Sequence, residues 1–87
     1  MCEKEHHKKM KIVSEELAKN WNKESLERAV IKESASVIKC MSEGMVYKAI
    51  KEMTELCIVF DALMHNVPDE VEDMAEKEAV EIYSKMY

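Results

Sequence analysis

The chain has 87 residues, 13 Lys and Arg against 18 Asp and Glu, a formal net charge of −5, and only one Gly and one Pro. Strand-rich folds need many turns, and turns draw on Gly and Pro, so an all-β sandwich or barrel is excluded. A doubly wound α/β domain needs a longer chain, and a hydrophobic fraction of 47% is too high for wholesale disorder, which leaves one small helical domain.

Residues 1–7 read as a polar arm, and residues 8–87 as a single helical domain. A first helix is expected from Lys8 to Asn20, because Met10, Val13, Leu17 and Trp21 recur at spacings of three and four. Asn20-Trp21-Asn22 makes a short connection, with Asn22 or Ser25 as the cap of the next helix. The second helix is expected from Lys23 to Glu43, with Leu26, Val30, Val37 and Met41 as its apolar stripe. Gly44 sits where a left-handed C-terminal cap belongs. The third helix is expected from Met45 to His65, with the stripe Val46, Ala49, Ile50, Met53, Cys57, Phe60 and Met64. From Leu56 to Met64 it is apolar almost all round, with Asp61 its one charge. Such a helix is central, packed on its own chain on one side and on a partner on the other. Asn66-Val67-Pro68 breaks the pattern. Pro68 suits the first turn of a fourth helix and Asp69 and Glu70 suit its positive end. That helix is expected to run to Met86, with Val71, Met74, Ala75, Ile82 and Met86 on one face. The expected architecture is therefore all-α, an antiparallel four-helix bundle. So short a chain buries a small core, and partner subunits would enlarge it, so an oligomer is expected.

No window of about 18 apolar residues exists, so no membrane span is expected. No apolar run follows the N-terminal charges, so no secretory signal is read there. Cys2, Cys40 and Cys57 are odd in number and unclustered, which suits free thiols in a reducing cytoplasm. The acidic balance and the lack of a basic stripe with interleaved aromatics argue against nucleic acid as a partner. There is no Ser/His/Asp set, Gly-rich phosphate loop or Cys-x-x-Cys. His6 and His7 lie near Cys2 on a frayed arm, too loose for a transition-metal site. His65 follows Asp61 by four residues, a structural or interface pairing. Eight Met residues suit an adaptable core or a partner surface.

The informative charges are those in the wrong place. Glu33 lies one turn after Val30 and one before Val37, inside an apolar seam where a lone carboxylate loses hydration. Glu52 and Glu55 are three apart and share a face of the third helix. If the second and third helices run antiparallel about Gly44, Glu33 faces Glu55 and Ser36 faces Glu52. Three carboxylates that close must bind a cation, take up protons or splay into water. Oxygen ligands without His or Cys favour a hard ion, Mg²⁺ or Mn²⁺.

These stretches read Ile31-Lys32-Glu33-Ser34-Ala35-Ser36-Val37-Ile38 and Ile50-Lys51-Glu52-Met53-Thr54-Glu55-Leu56. They resemble the Glu-x-x-Glu and Glu-x-x-Asp motifs on successive antiparallel helices of the all-α nucleoside triphosphate pyrophosphohydrolases, the MazG and dimeric dUTPase group. The small phage-type members are the most similar. Trp21 and the tail after Phe60 also fit, and the resemblance covers residues 10–87. It implies a MazG-like helical bundle, a homodimer or homotetramer, with Glu33, Glu52 and Glu55 as metal-binding catalytic acids. The implied chemistry is Mg²⁺-dependent hydrolysis of a nucleoside triphosphate to monophosphate and pyrophosphate. Ser36 departs from the second Glu of the first motif, Glu55 from the Asp of the second. Lys32 and Lys51 replace the Glu that usually precedes each motif, and both read as solvated charges. These changes remove negative charge around a metal, and the expectation is a weakly active or inactive descendant of such an enzyme. The alternative is a non-enzymatic helical interaction protein, such as a phage or mobile-element protein that binds a host protein. A third reading is a sensor that binds a nucleotide without hydrolysing it.

Overall fold

The computed structural model describes residues 4–86. Cys2 lies outside them, and so does the grouping of Cys2 with His6 and His7. The described chain is all-helical. Helix α1 spans Glu5–Asn20, α2 Lys23–Ser42, α3 Val46–Met64 and α4 Asp69–Ser84, and no strand occurs among the described residues. Helix α1 begins at Glu5, inside the segment that reads as an arm, and the acidic Glu5 lies in its first turn.

The ends of the helices follow from particular residues. Asn22 caps α2, its side-chain oxygen accepting from the Ser25 N–H at 2.8 Å. At the other end of α2 the Gly44 N–H donates to the Met41 carbonyl at 3.1 Å and the Met45 N–H to the Cys40 carbonyl at 2.9 Å. Gly44 itself has φ 72°, the left-handed conformation in which a side chain would be strained. This paired closure is the Schellman arrangement, and it turns the chain directly from α2 into α3. Pro68 stands as the N-cap of α4, with extended backbone at ψ 140°, rather than in its first turn.

Helix α3 is central. Its most extensive partner is α2, and α1 packs against it as well. Helix α4 makes no comparable contact and contributes no buried residue. So within one chain three helices pack together, and the fourth stands off instead of completing an antiparallel bundle of four. The core is correspondingly small: Leu26, Val37, Cys40, Ala49 and Ala62 are its buried apolar residues.

Several expected core positions are exposed. On α1, Val13 and Trp21 are exposed, and the buried position is Ser14. Its hydroxyl donates to the Ile58 carbonyl of α3 at 3.0 Å, which satisfies a polar group taken out of water. The small side chain lets α1 approach α3. On α2, Met41 is exposed, whereas Leu26 and Val37 are buried. On α3, Ala49 is the one buried member of the expected stripe. Periodicity located an apolar stripe on each helix, but α1 and α2 leave most of the α3 stripe exposed.

Leu26 is fully buried, so Leu26→Ala is expected to cost about 2–5 kcal/mol in urea unfolding. Gly44 has open space around it, so Gly44→Ala is expected to cost only about 1 kcal/mol, the penalty of a side chain at positive φ.

Candidate metal centre

The closure at Gly44 fixes the register of α2 against α3. Glu33 lies eleven residues before Gly44 and Glu55 eleven after it, and the antiparallel hairpin brings them to one level. Glu52 is one turn from Glu55 on the same face of α3. In the structure one carboxylate oxygen from each of Glu33, Glu52 and Glu55 lies within 4.8 Å of the other two. All three side chains are half-buried. No other group of three or more such ligands gathers among the described residues. Ser36 is half-buried one turn along α2 from Glu33 and supplies only a neutral oxygen.

Glu33 is the least satisfied member of the trio. Its Oε2 is removed from solvent and has no hydrogen-bond partner among the described residues. Burial pushes its carboxyl above the usual range, and the neighbouring Glu52 and Glu55 push in the same direction. Glu55 moves the other way. Its interaction with the neighbouring Glu52 side chain holds it down despite partial burial, and Lys51 adds to the effect. The Lys51 Nζ lies 3.3 Å from Glu55 Oε1, and this carboxylate raises the lysine's pKa. Lys51 is thus paired rather than simply solvated. The signal for its pairing is present in the i,i+4 spacing of Lys51 and Glu55. Asp61 and His65, expected to pair, instead line a shallow cavity with Glu72, and no ion pair joins them among the described residues.

The donor set fits a hard divalent cation. Mg²⁺ and Mn²⁺ take oxygen ligands, and opposite ligands of Mg²⁺ lie about 4 Å apart, so a small rotation of half-buried side chains would suffice. The unpartnered Glu33 oxygen is the group such an ion would satisfy. Comparisons of the chain with protein-family profiles, with curated proteins and with solved structures give no match.

The opposed pKa shifts have opposite consequences for stability. Glu33, shifted upward, contributes stability at low pH that is lost as pH rises through its raised pKa. Glu55, shifted downward, contributes stability at neutral pH that is lost as pH falls through its lowered pKa. In chelator at about pH 7.5, Glu33→Gln is therefore expected to be more stable than the wild type by roughly 1 kcal/mol, a gain that vanishes towards about pH 4. Thermal unfolding across the pH series checks this, and a loss of stability at neutral pH would show that the Glu33 charge is already compensated.

Proposed function

We propose that Glu33, Glu52 and Glu55 form the divalent-cation site of a MazG-like nucleotide pyrophosphohydrolase scaffold whose catalysis is weakened or lost. The observation that carries this reading is the convergence of the three carboxylates between α2 and α3, with one Glu33 oxygen buried and unpartnered. Sequence resemblance alone supplies the nucleotide. A bound Mg²⁺ or Mn²⁺ would offset phosphate charge and acidify a coordinated water. Glu33, Glu52 and Glu55 would hold the ion as carboxylates, and the ion would offset the burial and like-charge repulsion that push the Glu33 carboxyl upward. The reaction that the resemblance implies adds water to a nucleoside triphosphate and releases a monophosphate and pyrophosphate.

The residues around the trio argue for weak turnover. Ser36 offers a neutral hydroxyl where the resembled family has a carboxylate, and Lys51 is engaged with Glu55. Both lower the negative charge available to an ion. A cation would compete with Lys51 for the Glu55 carboxylate, which lowers affinity further.

The second reading is an interaction protein on the same helical scaffold. It is favoured by the large apolar side chains exposed on α3 and α4, among them Phe60, Met74 and Ile82, and at Met86 just beyond α4.

Calorimetric titration with Mn²⁺ and Mg²⁺, followed by pyrophosphate release from a nucleotide panel, tests the proposal. A single cation site is expected, weakened about tenfold or more by Glu52→Gln, with pyrophosphate release near background. Robust turnover abolished by Glu52→Gln would restore full enzymatic activity to the chain. Absence of cation and nucleotide binding would leave the interaction protein as the reading.

A further inference from the structure

A cavity of about 210 Å³ lies where α1, α2 and α3 meet. Met10 reaches it from α1, Met41 from α2, and Met53 and Cys57 from α3. Each is brought there by a feature of the fold. The Ser14 hydroxyl, bonded to the Ile58 carbonyl, seats α1 beside α3, and Met10 lies one turn before Ser14. Met41 is held at the end of α2 by the closure at Gly44, whose N–H donates to the Met41 carbonyl. Met53 and Cys57 are four apart and share a face of α3.

Sulfur is concentrated at this cavity. The chain has 8 Met and 3 Cys in 87 residues, yet four of the seven residues around the cavity carry sulfur. The other three are Ala49, Ile50 and Thr54. The Thr54 hydroxyl is already engaged, donating to the Ile50 carbonyl at 3.0 Å. Among the described residues no carboxylate or imidazole lines the cavity. The side-chain donors it offers are therefore three thioethers and the free thiol of Cys57. Core filling does not account for this arrangement. Close-packed interiors leave few voids larger than a water molecule. Met, unbranched and flexible, is the side chain best able to fill one. Here three Met surround a space they leave empty, and Met41 at 60% and Met53 at 41% exposure keep it open to solvent.

We propose that Met10, Met41, Met53 and Cys57 form a binding site for Cu(I). Thioether and thiolate ligands are soft and select Cu(I) over the hard ions that carboxylates hold. Binding exchanges the Cys57 thiol proton for the ion and releases that proton to water. The charges of Cu⁺ and the thiolate then cancel, which suits an apolar cavity where an uncompensated charge is costly. The thioethers complete the coordination without adding charge. None of Glu33, Glu52 and Glu55 lines the cavity, so the inference does not rest on the nucleotide reading.

Anaerobic titration of the reduced protein with Cu(I), in competition with a chromogenic Cu(I) chelator, tests this. One ion per chain is expected. Cys57→Ser is expected to weaken binding at least about a hundredfold, and Met41→Leu with Met53→Leu at least about tenfold. Leu is close to Met in volume, so the packing survives these replacements. Met74→Leu on α4 and Glu52→Gln are expected to change the affinity by less than about twofold. In the wild type, Ag(I) as a redox-inert stand-in is expected to shift the methyl NMR signals of Met10, Met41 and Met53 and to leave that of Met74 in place. This readout does not depend on any variant folding. Absence of Cu(I) binding, or binding that survives Cys57→Ser, would overturn the proposal. So would binding unaltered by the paired Leu replacements, which would show a lone thiol capturing the ion.

Discussion

The antiparallel pairing of α2 with α3 is the constraint on which the rest depends. Gly44, in the left-handed region, closes α2 with two backbone hydrogen bonds and reverses the chain at once. Because the reversal is so short, residues at equal distances from Gly44 meet across the pair. The burial of Leu26, Val37 and Ala49 and the meeting of Glu33 with Glu52 and Glu55 are consequences of the same register.

That register sets apolar packing and acidic repulsion against each other in one interface. Burial of the α2–α3 seam draws Glu33 out of water, and α3 presents two further carboxylates to it. A buried carboxylate without a partner opposes folding, and nearby like charges increase the cost. Lys51 relieves part of this by pairing with Glu55, but the Glu33 oxygen remains unpartnered. A proton or a hard cation would resolve the conflict. A cluster built from carboxylates alone favours Mg²⁺ or Mn²⁺ over softer metals.

The same hairpin leaves α3 with more apolar surface than one chain covers. Helix α1 approaches through Ser14, a small side chain that permits close packing but buries little apolar area. Much of the remaining face of α3 and most of α4 stay open. The polar cluster and the apolar seam thus occupy different sectors of one helix, the first directed at α2 and the second outward.

Much of this was legible in the chain itself. Low Gly and Pro content, three- and four-residue apolar spacings and the cap residues Asn22 and Gly44 placed four helices to within a few residues. The symmetry of Glu33 and Glu55 about Gly44 gave the acidic cluster. These features are local, or depend on one short turn, and a linear pattern encodes them directly. Which apolar residues are buried was not legible. Val13, Met41, Ile50 and Phe60 carry the right periodicity for a core, yet all are exposed. Periodicity reports that a helix has an apolar face, but it does not say which neighbour covers that face. Only the tertiary structure decided that α1 seats Ser14 on α3 and that α4 stands off. Burial is a property of the space between helices, and that space depends on loop direction and side-chain size at once.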